Sequence, residues 1–107
     1  FMAPENRAPV LFDNVRLFDA DRGRFLERQA VLIENGKITR MGRAGSIEAA
    51  AGVRRVDGSG KTLVPGLWDA HKHVGGERFA IGNLATGITS YRSPGTRTED
   101  AVKINAA

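Results

Sequence analysis

Cysteine is absent from the 107 residues. Disulfides, thiolate metal sites and a cysteine nucleophile are therefore excluded within this chain. The compartment stays open between cytoplasm and periplasm, because a cysteine-free chain suits either side of a bacterial membrane. Long apolar runs are also missing: none approaches the ~20 residues that a membrane helix needs, so no membrane association is expected. The start, Phe1-Met2-Ala3-Pro4-Glu5-Asn6-Arg7, lacks the apolar stretch of a signal peptide. Phe1 ahead of Met2 resembles a tag remnant or a processed end. Aromatic residues are sparse, at 7%. No stripe of Lys and Arg interleaves with them, as single-strand binding requires. The net charge of +4 is spread over separated sites such as Arg22 and Arg24, Arg40 and Arg43, Arg54 and Arg55, and Arg92 and Arg97. Nucleic acid is accordingly not an expected partner.

What is present fits an ordinary globular chain, with 41% hydrophobic and 26% charged residues. Residues 1–9 hold two prolines and little apolar content, and read as a flexible arm. Val10 to Phe18 has the β-branched and aromatic content of one or two short strands. Asp19 to Gly23 carries turn chemistry, and residues 25–34 lead into a buried strand ending AVLIE. Asn35-Gly36 then offers two residues tolerant of positive φ, the requirement of a type I′ hairpin turn. Lys37 to Met41 forms the return strand, with Ile38 and Met41 expected to face the core. Ser46 to Ala51 reads as a short helical turn with Ser46 as N-cap. Arg54 to Asp57 and Lys61 to Val64 read as strands around a Gly58-Ser59-Gly60 turn. Residues 10–64 are thus an all-β unit.

The character changes at Pro65-Gly66. LWDAHKHV reads as a strand, Glu77 to Ala85 as about two helical turns and Gly87 to Tyr91 as a second strand. Ser93-Pro94-Gly95 is a loop, and Thr98 is placed to cap a helix with Glu99 and Asp100 in its first turn. This β–α–β–α order is the beginning of a parallel α/β fold.

The chemistry sits in Asp69-Ala70-His71-Lys72-His73, which holds both histidines of the chain. Side chains alternate on a strand, so Asp69, His71 and His73 are expected on one face and Lys72 on the other. Imidazoles at i and i+2 stand about 7 Å apart at their Cα atoms, and their rings can converge on one ion. Imidazole donors suit zinc, and also iron, manganese or nickel. Two exposed surface histidines on a strand are the plain alternative. The end of the first strand of a βα unit is where α/β folds place their sites, and this favours the metal.

The run KTLVPGLWDAHKHV resembles the amidohydrolase superfamily, whose first barrel strand reads Pro-Gly-Leu-hydrophobic-Asp-x-His-x-His. Upstream, VLIENGKITRMG is similar to the family's hairpin, and VDGSGKTLVPG follows in the expected order. Downstream, NLATGITSYRSPG is similar to its second barrel strand. The match covers residues 10–100. The short link from His73 to Gly87 resembles the imidazolonepropionase- and prolidase-like branch. The resemblance implies that residues 10–64 are the N-terminal part of a small β-sandwich. It also implies that residues 65–107 are the first β-α-β unit of a (β/α)8 TIM-like barrel, truncated. His71 and His73 would then be the first two ligands of a divalent metal, zinc foremost, as one or two ions. Asp69 would be a supporting group beside the metal. Ser93 departs from the family's frequent Asp, Tyr91 from a small aliphatic residue, and Lys72 is an unusual middle residue expected to snorkel to water. The catalytic groups and remaining ligands are expected on later strands, outside this chain.

Other candidates are weaker. Asp57 to Thr62 superficially resembles a phosphate loop, but Arg55 stands where that pattern needs glycine, and Pro65 stops any following helix. Ser90 and Ser93 lack a general base and an orienting group. Arg92 is placed either to bind a substrate carboxylate or to pair with an acid. Trp68 and Phe79 read as packing residues. The whole is expected to be the N-terminal portion of a hydrolase that cleaves amides, cyclic amides or related C–N bonds through metal-activated water. Small amide or peptide-like molecules are the expected substrates. The 107-residue chain alone is expected to be inactive, and to self-associate or require a completing polypeptide. The competing reading is a truncated, non-catalytic remnant or assembly segment.

Overall fold

The structure, a computed structural model, describes residues 8–73, 77–95 and 99. The chain divides into two units at the Pro65–Gly66 junction. The first is built on strands β1 (Val10–Asp19), β2 (Arg24–Glu34), β3 (Lys37–Arg43), β4 (Arg54–Asp57) and β5 (Thr62–Leu63). These form one sheet in the order β3-β2-β1-β4, with β5 also paired to β1.

The expectation of one or two short strands over Val10 to Phe18 resolves to one ten-residue strand, β1. Its antiparallel pairing with β2 shifts register between Phe12 and Val15 and shifts again between Val15 and Leu17. Asn14 on β1 (φ 55°) and Arg28 on β2 (φ 53°) occupy those shifts. Each adds one residue to its own strand, so the two bulges cancel and inward-facing residues stay inward. The other edge of β1 is divided. Residues 10–13 pair in parallel with β4, and Arg16 and Leu17 pair with β5. Between them the chain turns tightly: the Gly58 N–H donates to the Asp13 carbonyl at 2.7 Å, and the Arg16 N–H to the Lys61 carbonyl at 3.0 Å. Gly58 is buried against Val15 at this crossing.

The β2–β3 hairpin turns at Asn35 (φ 51°) and Gly36 (φ 73°), the positive-φ pair that a type I′ turn requires. The core gathers Leu11, Ala30, Leu32 and Ile47, with Ala49 and Val53 packed against them. Leu11 and Leu32 are directly paired across the strands, and full burial of each contributes about 1.5–3 kcal/mol. Two expectations fail here. Ile38 and Met41 are 60% and 62% exposed, because β3 is an edge strand and nothing among the described residues covers them. The segment after Ser46 is not helical. The Ser46 hydroxyl donates back to the Arg43 carbonyl at 2.7 Å, and Ile47 is drawn into the core instead.

The second unit holds β6 (Leu67–Asp69), helix α1 (Glu77–Ala85) and β7 (Ile88–Tyr91). β6 and β7 pair in parallel, and α1 joins them, as the β–α–β reading requires. Trp68 and Phe79, expected to pack, are 73% and 58% exposed. Among the described residues, two strands and one short helix leave them uncovered. No helix among the described residues is long and apolar enough to cross a membrane. Most of the arm at 1–9, together with Thr98 and Asp100, lies outside the described residues.

Candidate metal centre

β6 is shorter than expected. It ends at Asp69, and the chain bends at Ala70 and His71. The cause is local: the His71 N–H donates to Asp69 Oδ1 at 3.1 Å, an Asx-type turn that takes the chain out of the strand. Pairing to β7 nevertheless continues around the bend. The Arg92 N–H donates to the Asp69 carbonyl at 2.9 Å, and the Lys72 N–H to the Arg92 carbonyl at 3.0 Å. The backbone is thus tied on both sides of His71. At the base of the unit Gly66 approaches Thr89 so closely that a Cβ there would lie 2.7 Å from the Thr89 Cβ.

His71 and His73 therefore leave the strand, and strand alternation does not govern them. The bend still brings their rings together. The two Nε2 atoms stand 3.3 Å apart, with ring centroids separated by 5.3 Å and planes inclined at 64°. Two bonds of ~2.0–2.1 Å to one tetrahedral ion set their donor atoms about 3.3–3.4 Å apart. The observed spacing fits that span. A hydrogen bond between neutral rings is the other way to bring them close, and 3.3 Å is long for one. Both rings are exposed. Among the described residues no third His, Asp or Glu joins them in a metal-holding group. Asp69 is occupied in shaping the bend.

Arg92 is exposed, and its backbone serves the β6–β7 pairing. Ser90 lies within β7 and Ser93 in the following loop. The Asp57–Thr62 segment is a turn. Asp57 Oδ1 accepts the Ser59 hydroxyl at 2.6 Å and the Ser59 N–H at 2.9 Å, and these bonds hold its carboxyl below the usual range. A strand follows rather than a helix, so the phosphate-loop geometry is absent. Sequence reasoning passed over Gly95, which lies against the His73 ring. Its place in a Ser-Pro-Gly loop was explanation enough from sequence, and no local signal marks the contact.

No family model matches the chain. It is 42% identical over 65 residues to a dihydroorotase of Pelobacter propionicus, covering 61% of this chain and 15% of that protein. It is 31% identical over 96 residues to urease subunit alpha 1 of Streptomyces avermitilis, covering 82% of this chain and 17% of that one. A solved molinate hydrolase superposes with a TM-score of 0.75 at 22% identity, over 92% of this chain and 26% of the other. The chain belongs to the amidohydrolase superfamily, and it spans about one sixth of the length of these two curated relatives.

Proposed function

We propose that the protein carrying this chain is a metal-dependent hydrolase of an amide, a cyclic amide or a related C–N bond, with His71 and His73 as two of its metal ligands. The observation that carries the reading is the convergence of the two Nε2 atoms to 3.3 Å just beyond the C-terminal end of β6. Parallel α/β folds build their sites at that end of their strands. In this reading residues 10–64 begin a small β-sandwich, and residues 65–107 begin a (β/α)8 barrel. The short link from His73 to Gly87 supports the imidazolonepropionase- and prolidase-like branch.

A divalent ion, zinc foremost, supplies Lewis-acid polarisation of a carbonyl and acidifies water when bound. The chain's own residues provide its footing. Asp69 bends the backbone, Arg92 ties both sides of His71 to β7, and the two imidazoles present nitrogen donors from one short loop. Metal sites of this kind use three or four protein ligands. The others, with the catalytic acid or base, come in this reading from further sequence or another polypeptide. Substrates are small amide or peptide-like molecules.

The test is zinc titration of the chain beside a His71→Ala/His73→Ala double variant, followed by hydrolysis assays on the longest protein that contains it. Weak binding lost in the double variant, and hydrolysis of amide substrates lost with it, are expected. Equal zinc binding by both chains refutes the ligand assignment.

A further inference from the structure

We infer that Gly95 is a positioning residue for His73. By lacking a side chain it lets the loop after β7 lie against the imidazole, and so sets where that ring meets His71. The inference rests on the metal reading above and deepens it. A Cβ at Gly95 would stand 2.7 Å from Cε1 and 3.0 Å from Nδ1 of His73, well inside the ~3.5–4.0 Å of ordinary contact. Backbone conformation does not call for glycine here. Gly95 is outside the left-handed region that Gly87 (φ 84°) occupies, so an L-residue could adopt its backbone. Core packing does not call for it either, since Gly95 and His73 are both exposed. What requires glycine is the space taken by the ring.

Among the described residues, backbone bonds between Arg92 and the Asp69–Lys72 segment flank His71, and the Gly95 contact falls on the His73 ring itself. An alanine at 95 would push the exposed ring aside by rotation about its side-chain bonds, which is cheap for the fold. It is costly for a ligand, because metal–nitrogen distances tolerate only about ±0.2 Å.

The experiment compares Gly95→Ala with Gly82→Ala in the full chain. Gly82 lies in α1, and a Cβ there meets nothing within 4 Å. Metal-free imidazole signals are read by NMR, zinc affinity by calorimetry and folding by circular dichroism. Gly95→Ala is expected to shift the His73 ring signals, preserve the fold and weaken zinc binding about tenfold or more. Gly82→Ala should leave the ring signals, the fold and the zinc affinity unchanged. With His73→Ala in place, Gly95→Ala should weaken binding no further. Unchanged ring signals with unchanged affinity overturn the inference, as does an equal loss in the His73→Ala background. Should Gly95→Ala unfold the chain, recovery of the fold on adding His73→Ala supports the clash, and unfolding in both backgrounds refutes it. A wild-type chain that binds no zinc, while Gly95→Ala still shifts the ring, refutes the metal reading and leaves the contact supported.

Discussion

Replacing Gly66 by alanine tests how the site-bearing strand is seated. The new Cβ would fall 2.0 Å from Thr89 Oγ1, 2.5 Å from its Cγ2 and 2.7 Å from its Cβ. The hydroxyl and methyl can rotate away. The Thr89 Cβ cannot, because the backbone of β7 sets its position. β6 and β7 must therefore separate by about 1 Å to restore ordinary contact. Overpacking of this kind costs about 1–3 kcal/mol, which is roughly a 5- to 150-fold loss in the folded ratio. The Leu67 N–H bond to the Gly87 carbonyl, 2.9 Å long, is the first to lengthen, and the footing of His71 loosens with it. Urea denaturation followed by fluorescence reads the effect directly, because Trp68 is the sole tryptophan and lies on β6. Thr89→Gly removes the obstructing atoms, so in that background Gly66→Ala should cost less than about 0.5 kcal/mol, the margin for additivity between independent sites. An equal cost in both backgrounds would refute the steric argument, and no cost in either would refute the close approach itself.

Gly36→Ala should destabilise the first unit by about 1–2 kcal/mol, since a Cβ is strained at left-handed φ although nothing lies within 4 Å of it. Asn35→Gly should be nearly neutral by urea denaturation followed by circular dichroism, and a neutral Gly36→Ala would contradict the turn. The Ser59 hydroxyl and N–H hold the Asp57 carboxyl, and Arg22 holds that of Asp19, below the usual carboxylate range. Their folded values lie below the unfolded one, so their contribution is fully present above that value and is lost as pH falls through the folded ones. Denaturation midpoints at pH 5 and pH 2.5 should show this acid loss, and Ser59→Ala should shrink it; an unchanged loss would remove Ser59 as its cause. On size-exclusion chromatography the chain should elute larger than a monomer, because among the described residues the two-stranded β6–β7 sheet has open edges and Leu67, Trp68, Phe79 and Leu84 are exposed. The zinc-loaded chain should show no amide hydrolysis, and a compact active monomer would overturn the view of it as part of a larger enzyme.

Short-range chemistry was legible in the sequence. Asn35-Gly36 specified its turn because few other pairs tolerate positive φ at both positions. The break at Pro65-Gly66, helix α1 and strand β7 were also readable, since each rests on a handful of neighbouring residues. The pairing of His71 with His73 was visible as a motif, but the reason for their meeting was not. They converge because the Asp69 carboxylate bends the chain and β7 holds both sides of the bend, whereas strand alternation had been the expected cause. Ile38 and Met41 look like core residues by pattern, yet burial depends on what covers an edge strand, and pattern carries no knowledge of neighbours. Ile47 went to the core rather than into a helix for the same reason. The cancelling bulges at Asn14 and Arg28, the divided edge of β1 and the contact of Gly95 with the His73 ring each join residues distant in sequence. Such contacts depend on register and approach, so tertiary structure alone decided them.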